Sequence, residues 1–149
     1  MADWASVFPA ARAAVPGIDN KIVLKKIEDG EKNFLIIDVR REDWEGGMVT
    51  GALNLPAQTF YYSRHALLDI AIKSGVEHVI FYCGSCNGRG PRCAGWFQDL
   101  IDEESTEGKK ISLEVSYLIG GIKGWARDFK GKQMLGFDEE FLKKLADNI

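Results

Sequence analysis

The residues best suited to chemistry are three cysteines and an arginine that lie close together in the chain. Cys83, Cys86 and Cys93 fall within positions 83–93, and Arg89 lies between the second and third of them. A thiolate is a strong nucleophile, and a guanidinium can donate paired hydrogen bonds to two oxygens of a tetrahedral anion. An odd, clustered set of cysteines indicates reactive thiols rather than a framework of structural disulfides. We therefore predict cysteine chemistry on an anionic substrate.

The segment 82–91, YCGSCNGRGP, has the composition of an anion-binding loop. It follows an apolar run and leads into a helix opened by Gly90-Pro91, because proline is favoured at the first helical position. Loop glycines let backbone N–H groups converge, and the helix N-terminus adds positive potential that favours a thiolate over a thiol. We predict Cys83 as the nucleophile and Arg89 as the oxyanion ligand. The predicted substrate-binding positions are Gly84, Ser85, Cys86, Asn87 and Gly88.

The elements that must position this loop alternate between strands and helices. Apolar runs over 34–38, 76–82 and 113–119 predict strands buried on both faces, and 51–55 predicts a shorter strand. Apolar residues at helical spacing predict helices after Asp19, over 63–74, from 90–91 and over 138–148. This order is typical of an α/β fold with a mainly parallel sheet, in which ligands bind beyond the carboxyl ends of strands.

Composition narrows the class of protein further. The 149 residues are 46% hydrophobic and 28% charged, which is typical of one globular domain. The net charge of -3 is spread along the chain, so we expect neither nucleic acid nor a membrane as a partner. We divide the chain into an N-terminal arm, 1–17, with Trp4 and Phe8 as docking side chains, and a domain over 18–149. The start of the sequence lacks a secretory signal pattern and the cysteines are odd in number, so we expect the cytoplasm or nucleus as the compartment. We also expect a monomer or weak dimer.

The motif formed by Cys83, five further residues and then Arg89-Gly90-Pro91 resembles the active loop of the rhodanese-fold family. Within that family it is similar to the branch of cell-cycle dual-specificity phosphatases and eukaryotic arsenate reductases. The segments 37–40, 45–56 and 118–125 resemble other parts of the family in the same order. The resemblance implies a single rhodanese-like domain with a five-stranded, mainly parallel sheet flanked by helices on both faces. A loop of seven residues implies phosphate or arsenate chemistry, whereas sulfurtransferases of this fold have six.

Four positions depart from the family pattern. Met48 stands where the family often has histidine, and Tyr82 stands where the phosphatase branch has histidine before the nucleophile. Gly88 replaces the glutamate of the cell-cycle phosphatases, which removes a proton donor for the leaving group. Val39 replaces their back-door cysteine. Cys86 is then the remaining candidate to trap an oxidised nucleophile as a disulfide, unless it is a bystander.

The resemblance implies a cysteine-dependent phosphatase of the tyrosine or dual-specificity type that works through a phosphocysteine. Three alternatives stay open: an arsenate reductase using glutathione or glutaredoxin, a thiosulfate-type sulfurtransferase, and a non-catalytic rhodanese-like interaction module. The substrate would be a phosphorylated protein or a small oxyanion. We expect no resident cofactor and no metal site, since no second cysteine pair follows the first.

Other polar and reactive residues near the loop also receive predictions. We expect Asp38 and Arg40 to form an ion pair at the end of their strand, and Cys93 to lie in the core. The acids that follow Arg40 are expected to be solvated, and one of them is the candidate general acid across the pocket. These acids are Glu42, Asp43 and Glu45.

Overall fold

The strands form two sheets in the computed structural model, which describes residues 4–85 and 87–147. In chain order they are β1 (Gly17–Ile18), β2 (Phe34–Asp38), β3 (Met48–Val49), β4 (Leu53–Asn54), β5 (His78–Tyr82), β6 (Glu114–Leu118) and β7 (Met134–Leu135). The main sheet has the order β1-β6-β5-β2-β4, and all its pairings are parallel. A small antiparallel pair joins β3 to β7. The expected α/β fold with a five-stranded parallel sheet is confirmed.

The central strand of the sheet is β5, and it leads directly into the predicted loop. All five of its residues are buried, as expected for an apolar strand with neighbours on both sides. Its register with β2 pairs Phe34 with His78 at one end and Asp38 with Tyr82 at the other. Asp38 and Tyr82 therefore lie side by side at the carboxyl edge, immediately before Cys83.

Five α-helices flank the sheet in the described part of the chain, and one 3-10 helix spans Trp4–Val7. The α-helices are α1 (Asn20–Glu28), α2 (Ala57–Ser74), α3 (Arg89–Thr106), α4 (Gly121–Phe129) and α5 (Glu139–Asp147). The predicted cap of α1 is confirmed, because the Asp19 side chain accepts the Lys21 N–H at 2.8 Å. Helix α2 begins at Ala57 rather than at the predicted position 63. Pro56 precedes this first turn, and Ala57 and Phe60 bury their side chains there.

The N-terminal arm packs against α3 through aromatic side chains. The Trp4 and Phe8 rings contact Trp96 edge-on, with ring centroids 6.2 and 5.6 Å apart, so both docking predictions are confirmed. The Trp96 indole N–H also donates to the Pro9 carbonyl at 2.8 Å. Gly17, which we assigned to the arm, is the first residue of β1, so the arm continues into the edge of the sheet. None of the helices in the described residues is long and apolar enough to cross a membrane.

Candidate active site

The Cys83 side chain lies between the end of β5 and the start of α3. The residue is only 3% exposed, and its sulfur accepts a hydrogen bond from the Gly90 N–H at 3.2 Å. Gly90 belongs to the first turn of α3, whose N–H groups carry the positive end of the helix dipole. A donated N–H and a positive helix end both favour the thiolate over the thiol.

The rest of the loop is open to solvent. Ser85, Asn87 and Gly88 are exposed and Gly84 is half-buried, while Cys86 lies outside the described residues. The loop glycines do not act by adopting left-handed backbone, since φ of Gly88 is -143° and Gly84 has no positive φ. A methyl group would also fit at Gly84, at ordinary van der Waals distance from its neighbours. A Cβ atom at Gly84 would lie 3.7 Å from Nη2 of Arg89.

Arg89 is the last residue of the loop, and its guanidinium forms an ion pair with a carboxylate from another part of the chain. Its Nη1 donates to Oδ1 of Asp43 at 2.9 Å and its Nη2 donates to Oδ2 at 2.6 Å. Asp43 lies between β2 and β3, 46 positions away in sequence, and both side chains are about one-third exposed, at 28% and 32%. Only the fold brings the two residues together, and no sequence pattern links them.

This pairing corrects the expectation for the acids after Arg40. Burial works to raise the pKa of Asp43, but the hydrogen bonds and charge of Arg89 outweigh it and lower that pKa to about 2. Asp43 is therefore neither a solvated acid nor a proton donor at neutral pH in this arrangement. Glu42 and Glu45 are exposed, as expected.

Helix α4 donates backbone hydrogen bonds to the start of the loop. The Ile122 N–H donates to the Cys83 carbonyl at 3.1 Å, and the Lys123 N–H donates to the Gly84 carbonyl at 3.0 Å. Gly121 makes this approach feasible, since its φ is +57° and a Cβ there would lie 2.5 Å from the Gly84 carbonyl oxygen. The first turn of α4 thus fixes the backbone that carries the nucleophile.

A buried polar cluster fixes the strand end on the other side. Arg40 and Asp38 are both fully buried, and the Arg40 Nη2 donates to Oδ2 of Asp38 at 2.7 Å, so the expected ion pair is confirmed. The Tyr82 hydroxyl donates to the same carboxylate at 2.9 Å and accepts the Val49 N–H at 3.2 Å. Burial raises the pKa of Tyr82, so its phenol stays neutral. Tyr82 is therefore a structural group at this position and not a titrating one.

Cys93 lies behind the loop within α3. It is 0% exposed, which confirms the expected core position. Burial raises the pKa of its thiol, so Cys93 is not a thiolate at neutral pH. Of the two cysteines in the described residues, Cys83 alone has the setting of a nucleophile.

Curated proteins resemble this chain in sequence, and solved structures resemble it in fold. The chain is 30% identical over 105 residues to arsenical-resistance protein 2 of Saccharomyces cerevisiae, covering 66% of this chain and 78% of that protein. It is 32% identical over 112 residues to the dual specificity phosphatase ibp1 of Schizosaccharomyces pombe, covering 67% and 80%. Among solved structures, an As-Sb reductase from Leishmania major superposes with a TM-score of 0.69 at 20% identity, covering 89% of this chain and 99% of that one.

A family model adds a direct assignment. The model described as a rhodanese-like domain matches residues 19–128, a range that begins at the cap of α1 and ends within α4. That range contains β2, β5, the loop, all of α3 and all of α4 except its last residue. The chain belongs to the rhodanese-like family, as its loop motif indicated.

Proposed function

We propose that this protein is a cysteine-dependent phosphatase of the tyrosine or dual-specificity type. The observation that carries the proposal is the position of the Cys83 sulfur, which receives the Gly90 N–H in a seven-residue loop that ends at Arg89. The relative named as a dual specificity phosphatase supports the same chemistry. A thiolate, a helix N-terminus and a guanidinium together suit attack on a phosphoryl group.

The reaction has two displacement steps. The Cys83 thiolate attacks phosphorus, so that an S–P bond forms while the bond to the leaving oxygen breaks. Arg89 and the N–H groups of the loop stabilise the charge on the three equatorial oxygens. Water then attacks the phosphocysteine, which releases inorganic phosphate and restores the thiolate.

Proton supply to the leaving oxygen shapes the expected substrate. The loop sequence contains no carboxylic acid, and Asp43 is ionised in its pair with Arg89. We therefore expect phosphate esters with good leaving groups, such as aryl phosphates and phosphotyrosine, to be turned over faster than alkyl phosphates. The exposure of Ser85, Asn87 and Gly88 suits a phosphorylated side chain on a protein surface.

Arsenate reduction is the second candidate. The relative named an arsenical-resistance protein favours it, and so does a loop without a carboxylic acid, because an arsenylated cysteine is resolved by thiols. In that reaction two electrons pass to arsenic from two thiols, which leave as a disulfide. Glutathione or glutaredoxin would supply the reductant, and no resident cofactor is needed. A reducing cytoplasm or nucleus would suit either reaction.

Parallel assays of wild type and Cys83→Ser distinguish the candidates. The assays use an aryl phosphate, arsenate with glutathione, and thiosulfate with cyanide. We expect phosphate release by wild type and loss of at least about 10³-fold in the variant, the scale of removing a covalent nucleophile. Cys93→Ala is the matched control, since it removes a buried thiol outside the site, and it should keep its activity. Activity that survives in Cys83→Ser contradicts the proposal.

A further inference from the structure

Asp43 touches one end of the Arg89 guanidinium and leaves another edge available. A guanidinium carries five N–H donors, and Asp43 accepts one from each terminal amino group. Three donors have no hydrogen-bond partner among the described residues, namely Nε–H and the second protons of Nη1 and Nη2. Nε–H and Nη2 share an edge that fits two oxygens of a tetrahedral anion. Nη2 also lies 3.7 Å from the Cβ position above Gly84, so this nitrogen faces the loop.

Asp43 is itself fixed by the buried polar cluster. The Arg40 Nη1 donates to the Asp43 carbonyl at 3.2 Å, and its Nη2 donates to the Gly47 carbonyl at 2.7 Å. Asp38 and Tyr82 complete the cluster behind Arg40. Tyr82 directly precedes Cys83, so hydrogen bonds through Asp38 and Arg40 connect the start of the loop to the Asp43 backbone. The Asp43 side chain in turn bonds Arg89 at the end of the loop.

We propose that Asp43 is a positioning residue, which holds the Arg89 guanidinium in the orientation that receives the substrate oxyanion. The inference rests on the proposed function only in that Arg89 binds an oxyanion. Without this anchor, the Arg89 side chain would become ordered only when the substrate binds. The entropy lost in that ordering would weaken the affinity for the substrate. The alternative is that Asp43 competes with the substrate for Arg89. That role predicts the opposite sign, since removing the carboxylate would then tighten anion binding.

Protection of Cys83 against iodoacetamide by tungstate, a tetrahedral dianion, measures anion binding without any turnover. Mass spectrometry of the Cys83 peptide gives the tungstate dissociation constant for wild type, Asp43→Asn and Asp43→Ala. We expect about tenfold weaker binding in Asp43→Asn, which keeps the shape of the side chain, and a larger loss in Asp43→Ala. Glu42→Gln is the matched control, because its side chain is 88% exposed and it removes the same charge one residue away. It should bind like wild type.

A second variant separates positioning from a general loss of structure. In an Arg89→Met background, Asp43→Asn should cause no further loss of protection, because it acts only through the guanidinium. Equal or tighter tungstate binding in Asp43→Asn alone overturns the inference, as does a wild type that tungstate does not protect. If tungstate affinities follow the predicted order but the wild type hydrolyses no phosphate ester, the proposed function fails while this inference stands.

Discussion

At the scale of single residues, the reactivity of Cys83 depends on the groups around its sulfur. The Gly90 N–H, the start of α3 and the charge of Arg89 all favour the thiolate. We predict that Cys83 is alkylated with an apparent pKa well below the ordinary value of about 8.5, and that Arg89→Met raises this pKa. The rate of iodoacetamide labelling of the Cys83 peptide across pH gives the measurement.

The same labelling experiment contains its own control. Cys93 is fully buried and its pKa is raised, so it should stay unlabelled in the native protein at every pH tested. A labelling profile for Cys83 centred near pH 8.5 would remove the argument for an activated thiolate.

Asp43 gives a prediction for stability against pH. Its pKa is lowered from 3.8 to about 2, so its contribution to stability is present above pH 4 and is lost as the pH falls from 4 to 2. Allowing for its partial exposure, the contribution is about 1 kcal/mol. Urea unfolding should therefore show wild type more stable than Asp43→Asn by a constant amount from pH 7 to 5. That difference should shrink below pH 4, and a difference independent of pH down to pH 3 contradicts the assignment.

What the sequence could reveal at this scale depended on how local the signal was. Cys83 and Arg89 were predicted because their spacing, the glycines and Pro91 all lie within one segment. The role of Asp43 was missed because its partner is 46 positions away, and an acid in a polar stretch otherwise resembles a solvated side chain. The Asp38 and Arg40 pair was predicted because both residues lie at the end of one apolar strand.

At the scale of elements, the first turn of α4 determines where the loop lies. Gly121 has a positive φ, and a Cβ there would come within 2.6 Å of the Cys83 carbonyl oxygen. Gly75 also has a positive φ, at +73°, but a Cβ there would meet nothing within 4 Å. Alanine at Gly75 would therefore meet only an unfavourable backbone conformation, whereas alanine at Gly121 would also collide with the loop.

We predict that Gly75→Ala costs about 1 kcal/mol of stability and leaves catalysis unchanged, because the alanine must adopt a positive φ but collides with no other residue. Gly121→Ala should cost more than Gly75→Ala and should lower kcat, because the carbonyls of Cys83 and Gly84 must move. Thermal unfolding and aryl phosphate kinetics of both variants test this. Equal effects of the two substitutions on stability and kcat would show that α4 does not position the loop.

The elements that could be predicted were those with a clear hydrophobic period. Strands β2 and β5 each contain four consecutive apolar or aromatic residues, and β6 has three such residues among its five. Helix α1 has a cap and an amphipathic face. Helix α4 was missed because it contains glycines at 121 and 124, which disfavour helix in isolation. In the folded chain its first turn donates hydrogen bonds to the carbonyls of Cys83 and Gly84. Strands β1, β3 and β7 are two residues long, too short to show any period. Strand β4 is equally short, but Gly51 before it and Pro56 after it marked the predicted strand over 51–55.

At the scale of the whole molecule, one parallel sheet brings all the proposed chemistry to a single edge. The nucleophile follows β5, the carboxylate that holds Arg89 follows β2, and α4 follows β6. These are the three central strands of the sheet, so their carboxyl ends are neighbours. Near-average composition and a net charge of -3 gave no hint of this arrangement, which concerns a small part of the surface.

A covalent phosphocysteine at Cys83 is the most direct test of the account. Wild type is mixed with an excess of aryl phosphate, quenched within milliseconds and digested, and mass spectrometry locates the phosphoryl group. We expect phosphate on the Cys83 sulfur in wild type and in Cys93→Ala, and none in Cys83→Ser. Steady release of phosphate with no phosphoryl group on Cys83, or equal release by Cys83→Ser, would contradict the account.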